Sequence, residues 1–152
     1  MDLPTEAQWE YAARSGGRPL RHATNNGELE PGRNISSANG SAWSLDGDSR
    51  ELPEPPGRYQ PSPIGLYDMS GNVAEWVNDY YHADYYQNSA RTNPVGPAAG
   101  KAVTVGPGLK GPERVMRGGD YHGQIINSST VSRRVVPESS VPLSGGFRCA
   151  SI

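Results

Sequence analysis

The stretch that decides the fold is "GLYDMSGNVAEW", residues 65–76. It carries two carboxylates, Asp68 and Glu75, on either side of a Ser-Gly-Asn turn, and an aromatic residue flanks each of them. One interpretation is a helix start, in which Asn72 is the N-cap and Glu75 closes a capping box. The other is a metal-binding turn, because Asp68 has no role in such a capping box. Both interpretations stay open at this point.

The segment that follows, residues 73–81, also supports two structures. Its apolar residues recur at i, i+3, i+4 and i+7 from Val73 to Tyr80, which is the helical spacing. The alternation of Val73, Glu75 and Val77 with the residues between them suits a strand instead. Periodicity alone does not choose between them.

Three further elements are predicted away from this stretch. A helix is predicted over residues 3–14, because Thr5 is a good N-cap, Gln8 completes a capping box, and a Gly-Gly pair at 16–17 ends it. Short strands are predicted at 114–117 and at 147–150.

Composition indicates one folded domain that is rich in coil. Glycine and proline account for 19 and 14 of the 152 residues, and they are concentrated at 18–64 and 88–113. Three Trp and eight Tyr argue against disorder, because each such ring can bury about 150–250 Å². We therefore expect little regular structure and many ordered loops.

Charge and hydropathy exclude several classes of protein. The net charge is -2, so no basic stripe favours nucleic acid or an anionic membrane surface. Apolar runs are only a few residues long, which predicts no membrane span. The first residues lead straight into a helix signal rather than a secretory peptide. We expect a soluble, bacterial-type protein, either cytoplasmic or exported, and its single cysteine excludes an internal disulfide.

Four sequence islands occur together in a family order: "LPTEAQWEYAAR" (3–14), "GLYDMSGNVAEWVNDYY" (65–81), "RVMRGGDYH" (114–122) and "GGFRC" (145–149). They closely resemble the formylglycine-generating enzyme, or sulfatase-modifying factor, family. The resemblance implies one domain over 1–152 with an irregular, coil-rich α+β fold related to C-type lectins. Family domains normally carry a further N-terminal half, so we expect 1–152 to be the C-terminal part of a larger domain or protein.

The resemblance also bears on catalysis. Family enzymes hold copper(I) with two cysteine thiolates, which suit that soft ion, and oxidise a substrate cysteine to formylglycine. Gly123 and Ser128 stand at the matching positions of this chain. Neither supplies a thiolate, so copper binding and this oxidation are not expected. Cys149, the only cysteine, is expected to be a small buried hydrophobe.

A calcium site is implied by the family match to residues 68–75. Its ligands would be the side chains of Asp68 and Glu75 and the carbonyls of Gly71 and Val73, a mixture typical of calcium. The spacing of 71, 73 and 75 by two residues favours an extended turn over the helix start.

A second calcium site is implied with four other ligand residues. They are the pair Asn34 and Ile35, the side chain of Asp48 and the carbonyl of Arg50. An Asx-turn in a solvated loop is an equally good interpretation. Two calcium ions would explain how long coil segments stay ordered around a small core.

The segment after Gly119 forms the active cleft in relatives. Asp120, Tyr121 and His122 are therefore weak catalytic candidates, with His122 beside Asp120 as a general base that lacks a nucleophile. Tyr121 and His122, together with Arg133 and Arg134, are candidates for ligand binding. Pairing of both arginines within the fold is the favoured alternative.

Three functions remain open. The first is a calcium-stabilised module that binds a ligand or protein partner at the 120–145 surface. The second is the substrate-shaping C-terminal part of a non-haem iron, oxygen-dependent enzyme, such as an ergothioneine-type sulfoxide synthase, whose iron-binding histidines come mainly from a separate domain. The third is an accessory domain of a kinase, a pilus-type or a secretion protein.

Overall fold

The helix predicted at the N-terminus is present as α1, Glu6–Ala13. It belongs to a computed structural model that describes residues 1–35, 52–100, 102–104, 110–121 and 125–151. The capping box is complete: the Gln8 amide donates to Thr5 Oγ1 at 3.2 Å, and the Thr5 amide donates to Gln8 Oε1 at 2.8 Å. These local contacts explain why the sequence alone predicted α1.

One mixed sheet forms the body of the fold. Its strands are β1 Ala74–Tyr80, β2 Ala102–Thr104, β3 Lys110–Arg117, β4 Arg133–Pro137 and β5 Gly145–Phe147. Neighbouring strands follow the order β2-β3-β1-β5, and β4 also pairs with β3. The pairs β1–β3, β2–β3 and β3–β4 are antiparallel, whereas β1–β5 is parallel. A four-residue helix, α2 Tyr85–Asn88, and a short 3-10 helix, Ile125–Ser128, complete the regular elements of the described ranges.

The open choice at residues 73–81 is resolved as strand β1. Gly71 and Asn72 both adopt positive φ values, of 85° and 62°, so the chain turns there and then runs extended. Asn72 is not a helix N-cap, and that interpretation is wrong. Its side chain instead pairs with the backbone of Glu54, accepting from the amide at 2.9 Å and donating to the carbonyl at 3.1 Å.

Two strand predictions need correction. The strand predicted at 114–117 begins earlier, at Lys110, because β2 supplies a partner for its first residues. The strand predicted at 147–150 is instead β5, which ends at Phe147. Cys149 is exposed rather than buried. Arg148, the residue before it, turns inward to Glu75 instead.

The core lies between α1 and the sheet. Trp9 and Ala13 of α1 pack with Val77 of β1 and Val115 of β3, together with Met69 from the opening stretch. A smaller cluster on the sheet contains Ala74, Met116 and Val136. None of the helices in the described ranges is long and apolar enough to cross a membrane.

A buried ionic network joins α1 to the sheet. Arg117 of β3 donates from Nη1 to Glu6 Oε1 at 2.9 Å and from Nη2 to Glu10 Oε2 at 2.7 Å, and its side chain is fully buried. Arg133 of β4 binds the same Glu6 carboxylate. No local sequence signal predicts this role of Glu6, because its two arginine partners lie more than a hundred residues away.

Candidate functional site

A cleft of about 580 Å³ opens where β3 ends and β4 begins. Its walls come from five parts of the chain: the end of β3, the segment after it, the 3-10 helix, the start of β4 and the turn before β5. The lining residues are Met116, Gly119, Asp120, Asn127, Ser132, Arg133, Arg134, Leu143 and Ser144.

The negative charge of the cleft is the carboxylate of Asp120, which is 6% exposed. Its Oδ2 accepts from Arg134 Nη1 at 2.6 Å and from Ser144 Oγ at 2.5 Å. Arg134 keeps 47% of its side-chain surface exposed. The cleft therefore holds one buried carboxylate that is paired with a partly exposed arginine.

Arg133, on the adjacent strand position, is held more firmly. Its Nε and Nη2 bind the two oxygens of Glu6 at 2.7 and 2.8 Å. Its guanidinium lies 4.9 Å from the ring centroid of Tyr81 and 4.6 Å from that of Tyr86. Burial acts to lower the pKa of Arg133, but the hydrogen bonds and charge of Glu6 outweigh it and raise that pKa. Both candidate arginines are thus paired within the fold.

The floor of the cleft depends on Gly119. Its φ is 70°, and a Cβ there would lie 2.8 Å from the carbonyl carbon of Asn127. Tyr121, the next candidate along the chain, is buried, and its backbone amide donates to Asn72 O at 2.9 Å. His122 and Gly123 lie outside the described residues.

Ser128, at the position of the second family cysteine, is 1% exposed. Its carbonyl accepts from Ser70 Oγ at 2.7 Å and lies 3.2 Å from His22 Nδ1. Ser70 Oγ also accepts from the Ala23 amide, so this position ties three segments together.

The implied calcium ligand Glu75 contacts three donors. Its Oε2 accepts from Trp9 Nε1 at 2.6 Å and from Arg148 Nε at 2.6 Å, and its Oε1 accepts from Arg148 Nη2 at 2.5 Å. Burial acts to lower the pKa of Arg148, but Glu75 outweighs it and, with a smaller contribution from Asp68, raises that pKa. Both implied carboxylate ligands therefore act on one guanidinium.

The second implied carboxylate ligand, Asp68, lies in the turn before β1. Asp68 has a φ of 57°, which is unusual for a residue with a side chain. Its Oδ2 accepts from the Gly57 amide at 2.7 Å. Within the described ranges, no three His, Cys, Asp or Glu side chains come together as a metal cluster.

The second implied calcium site is only half described. The side-chain Nδ2 of Asn34 donates to Asn25 Oδ1 at 2.9 Å and to Glu28 O at 3.1 Å. The side-chain Oδ1 of Asn34 accepts from the backbone amide of Glu30 at 2.7 Å. The Ile35 carbonyl accepts from Gly32. Asp48 and Arg50 lie outside the described residues.

Comparison with known proteins places this fold in a family. Residues 1–151 match the Sulfatase-modifying factor enzyme 1-like domain. The chain belongs to this family. The formylglycine-generating enzyme of Streptomyces coelicolor is 38% identical to this chain over 159 residues. That alignment covers 98% of this chain and 46% of the enzyme.

Two further proteins with similarity to this chain carry other names than formylglycine-generating enzyme. The serine/threonine-protein kinase pkn1 of Chlamydia pneumoniae is 34% identical, over 97% of this chain and 20% of the kinase. Among solved structures, Treponema denticola variable protein 1 superposes with a TM-score of 0.64 at 26% identity, over 95% of this chain and 45% of that one. The chain thus spans less than half the length of each of these relatives.

The sequence did not predict several residues of the cleft, or the partner of Glu75 in the acidic turn, which is the segment 68–75 that carries Asp68 and Glu75. Ser144 and Leu143 line the cleft, yet no motif distinguishes them in a serine- and proline-rich segment. Arg148 stands within the "GFR" island, where its position next to β5 was the available signal.

Proposed function

We propose that this chain is a calcium-stabilised sulfatase-modifying factor scaffold that binds a ligand or protein partner in the β3–β4 cleft, without copper-dependent cysteine oxidation. The observation that carries the proposal is the position of the only cysteine. Cys149 is exposed beyond β5 and is not among the residues that line the cleft. Copper(I) bound by two thiolates needs a second cysteine, and this chain has none.

The chemistry of the cleft supports a binding role. Leu143 provides exposed apolar surface, and Asp120, Arg134 and Ser144 provide polar groups that converge. Ligand sites typically combine an apolar lining with a few placed polar groups. The partly exposed Arg134 suits a carboxylate or another anionic group on the bound molecule. Tyr121 and His122 follow Asp120 in sequence and stay predicted ligand-binding residues, but Tyr121 is buried and does not line the cleft, and His122 lies outside the described residues.

Calcium at the acidic turn is supported by charge and by acceptor capacity. Asp68 and Glu75 carry two negative charges around the single positive charge of Arg148. A carboxylate offers about four lone-pair positions, and the described donors use three of those on Glu75. Glu75 and Asp68 would hold the ion with the carbonyls of Gly71 and Val73. The ion would tie the opening turn to the start of β1.

Chelation is expected to destabilise the full chain. At a calcium concentration about a hundred times the Kd, binding contributes about 2.7 kcal/mol, which corresponds to a shift of about 5–10 °C in Tm. Metal analysis and melting curves with and without chelator measure both quantities. One ion per chain supports the site at Asp68 and Glu75, and two support the additional site at Asn34, Ile35, Asp48 and Arg50.

A matched pair of variants locates the ion. Asp68→Ala is expected to abolish the calcium-dependent rise in Tm, whereas Asp84→Ala, at an exposed aspartate with no side-chain cap bond, leaves it intact. A chain that holds no calcium and melts unchanged in chelator refutes the calcium part of the proposal.

Incubation of the full chain with copper(I), oxygen and a Cys-x-Pro-x-Arg peptide is expected to yield no aldehyde. Mass spectrometry of the peptide reads the result, and a two-cysteine formylglycine-generating enzyme is the positive control. Aldehyde formation above the protein-free control contradicts the proposal. The alternative role in an iron-dependent enzyme stays a prediction.

A further inference from the structure

We infer that Arg148 is a built-in counter-cation that shares Glu75 with calcium and sets the calcium affinity of this turn. The inference rests on the calcium site proposed above. It concerns a residue that donates to a ligand rather than one that binds the ion.

The hydrogen bonds of Glu75 determine how many acceptor positions of its carboxylate remain for a metal ion. Oε2 already receives both Trp9 Nε1 and Arg148 Nε, each at 2.6 Å. Oε1 receives only Arg148 Nη2. Of about four lone-pair positions on a carboxylate, the remaining one is on Oε1. Glu75 would therefore offer a calcium ion the acceptor position that remains on Oε1, beside the guanidinium of Arg148.

Arg148 is fixed where it stands. Besides its two bonds to Glu75, its Nη2 donates to Tyr67 O at 3.0 Å, in the residue before Asp68. The guanidinium thus bridges both ends of the turn that would hold the ion. Because a paired and partly buried arginine does not lose its charge, its repulsion of a divalent cation persists when calcium binds.

The arrangement has a second consequence in the calcium-free chain. Glu75 is 4% exposed, and a buried carboxylate needs a positive partner. Arg148 supplies that partner when calcium is absent. The turn therefore stays assembled without the ion, at the expense of a weaker affinity for it.

Neutralising Arg148 tests the inference. Arg148→Gln keeps hydrogen-bond donors and removes the charge, so we expect the calcium Kd to fall by about tenfold or more while the calcium-free Tm decreases. Arg148→Lys retains the charge and is expected to keep a Kd within about threefold of wild type. Arg91→Gln, at an exposed arginine, is the control for a general loss of positive charge. Calorimetric titration with calcium chloride measures the Kd.

The outcomes separate this inference from the calcium proposal. A purely structural role for Arg148 predicts weaker binding in Arg148→Gln, because the turn loosens, and weaker or unchanged binding overturns the inference. If wild type binds no calcium and Arg148→Gln does, the inference stands and the calcium-stabilised scaffold fails. If neither binds, both fail.

A measurement on the wild-type chain covers the case in which Arg148→Gln does not fold. The Nε–H resonance of Arg148 in NMR is expected to persist and to shift during a calcium titration, because Glu75 is shared. A resonance that does not move, or that disappears as the ion displaces the guanidinium, overturns the inference.

Discussion

Replacing Arg117 with methionine is expected to lower the free energy of unfolding by about 3–5 kcal/mol, because removing one partner of a buried ion pair leaves the other uncompensated. The Arg117 side chain is fully buried and contacts Glu6, which is itself 3% exposed. It also donates to Thr130 O at 2.5 Å and lies 5.1 Å from the ring centroid of Trp9. Methionine replaces most of the buried stem but none of these donors.

Urea denaturation followed by tryptophan fluorescence measures this loss. Arg33→Met is the matched control, because Arg33 pairs with Glu30 but keeps 81% of its side chain exposed. An exposed pair contributes at most about 1 kcal/mol. Equal losses in the two variants would mean that the network between α1, β3 and β4 does not hold the fold together.

Glu6 also binds Arg133 through both oxygens, so the Arg117→Met chain keeps one cation on Glu6. This remaining pair places the expected loss within the stated range rather than above it. It also keeps Arg133 in the wall of the cleft.

Gly119→Ala is expected to destabilise the chain by about 2–5 kcal/mol. A side chain in the left-handed region costs about 1–2 kcal/mol, and φ at Gly119 is 70°. The added Cβ would also lie 2.8 Å from both the carbonyl carbon and oxygen of Asn127 and 2.9 Å from the Ser128 amide. These are backbone atoms, so the segment has to move, which adds about 1–3 kcal/mol.

Gly65→Ala separates the two contributions. Gly65 has a φ of 84°, and a Cβ there meets nothing within 4 Å. Only the conformational cost of about 1–2 kcal/mol is expected at Gly65. Denaturant titrations of both variants give the difference, and indistinguishable losses would show that the approach of Asn127 does not constrain the cleft.

The predictable parts of this protein are those whose causes lie close together in sequence. The capping box of α1 joins Thr5 and Gln8, three residues apart, and the helix follows from it. A copper site made of two thiolates from this chain is excluded by the residue count, since the chain has one cysteine. The family islands together sufficed to predict the family and its coil-rich fold.

Distant partners explain the errors. Periodicity left β1 undecided because its strand character depends on pairing with Met116 and Phe147, far along the chain. Cys149 was predicted to be buried but is exposed, whereas its neighbour Arg148 turns inward to meet the distant Glu75. Neither contact has a local signal.

The sequence by itself determined the family, the N-terminal helix and the absence of a cysteine pair, because each depends on residue identity or on contacts within a few positions. Only the tertiary structure decided that "GLYDMSGNVAEW" turns through left-handed residues into a central strand. It also decided that Glu75 meets Trp9 and Arg148, from opposite ends of the chain. Buried charges need partners, and the fold alone selects which distant residues supply them.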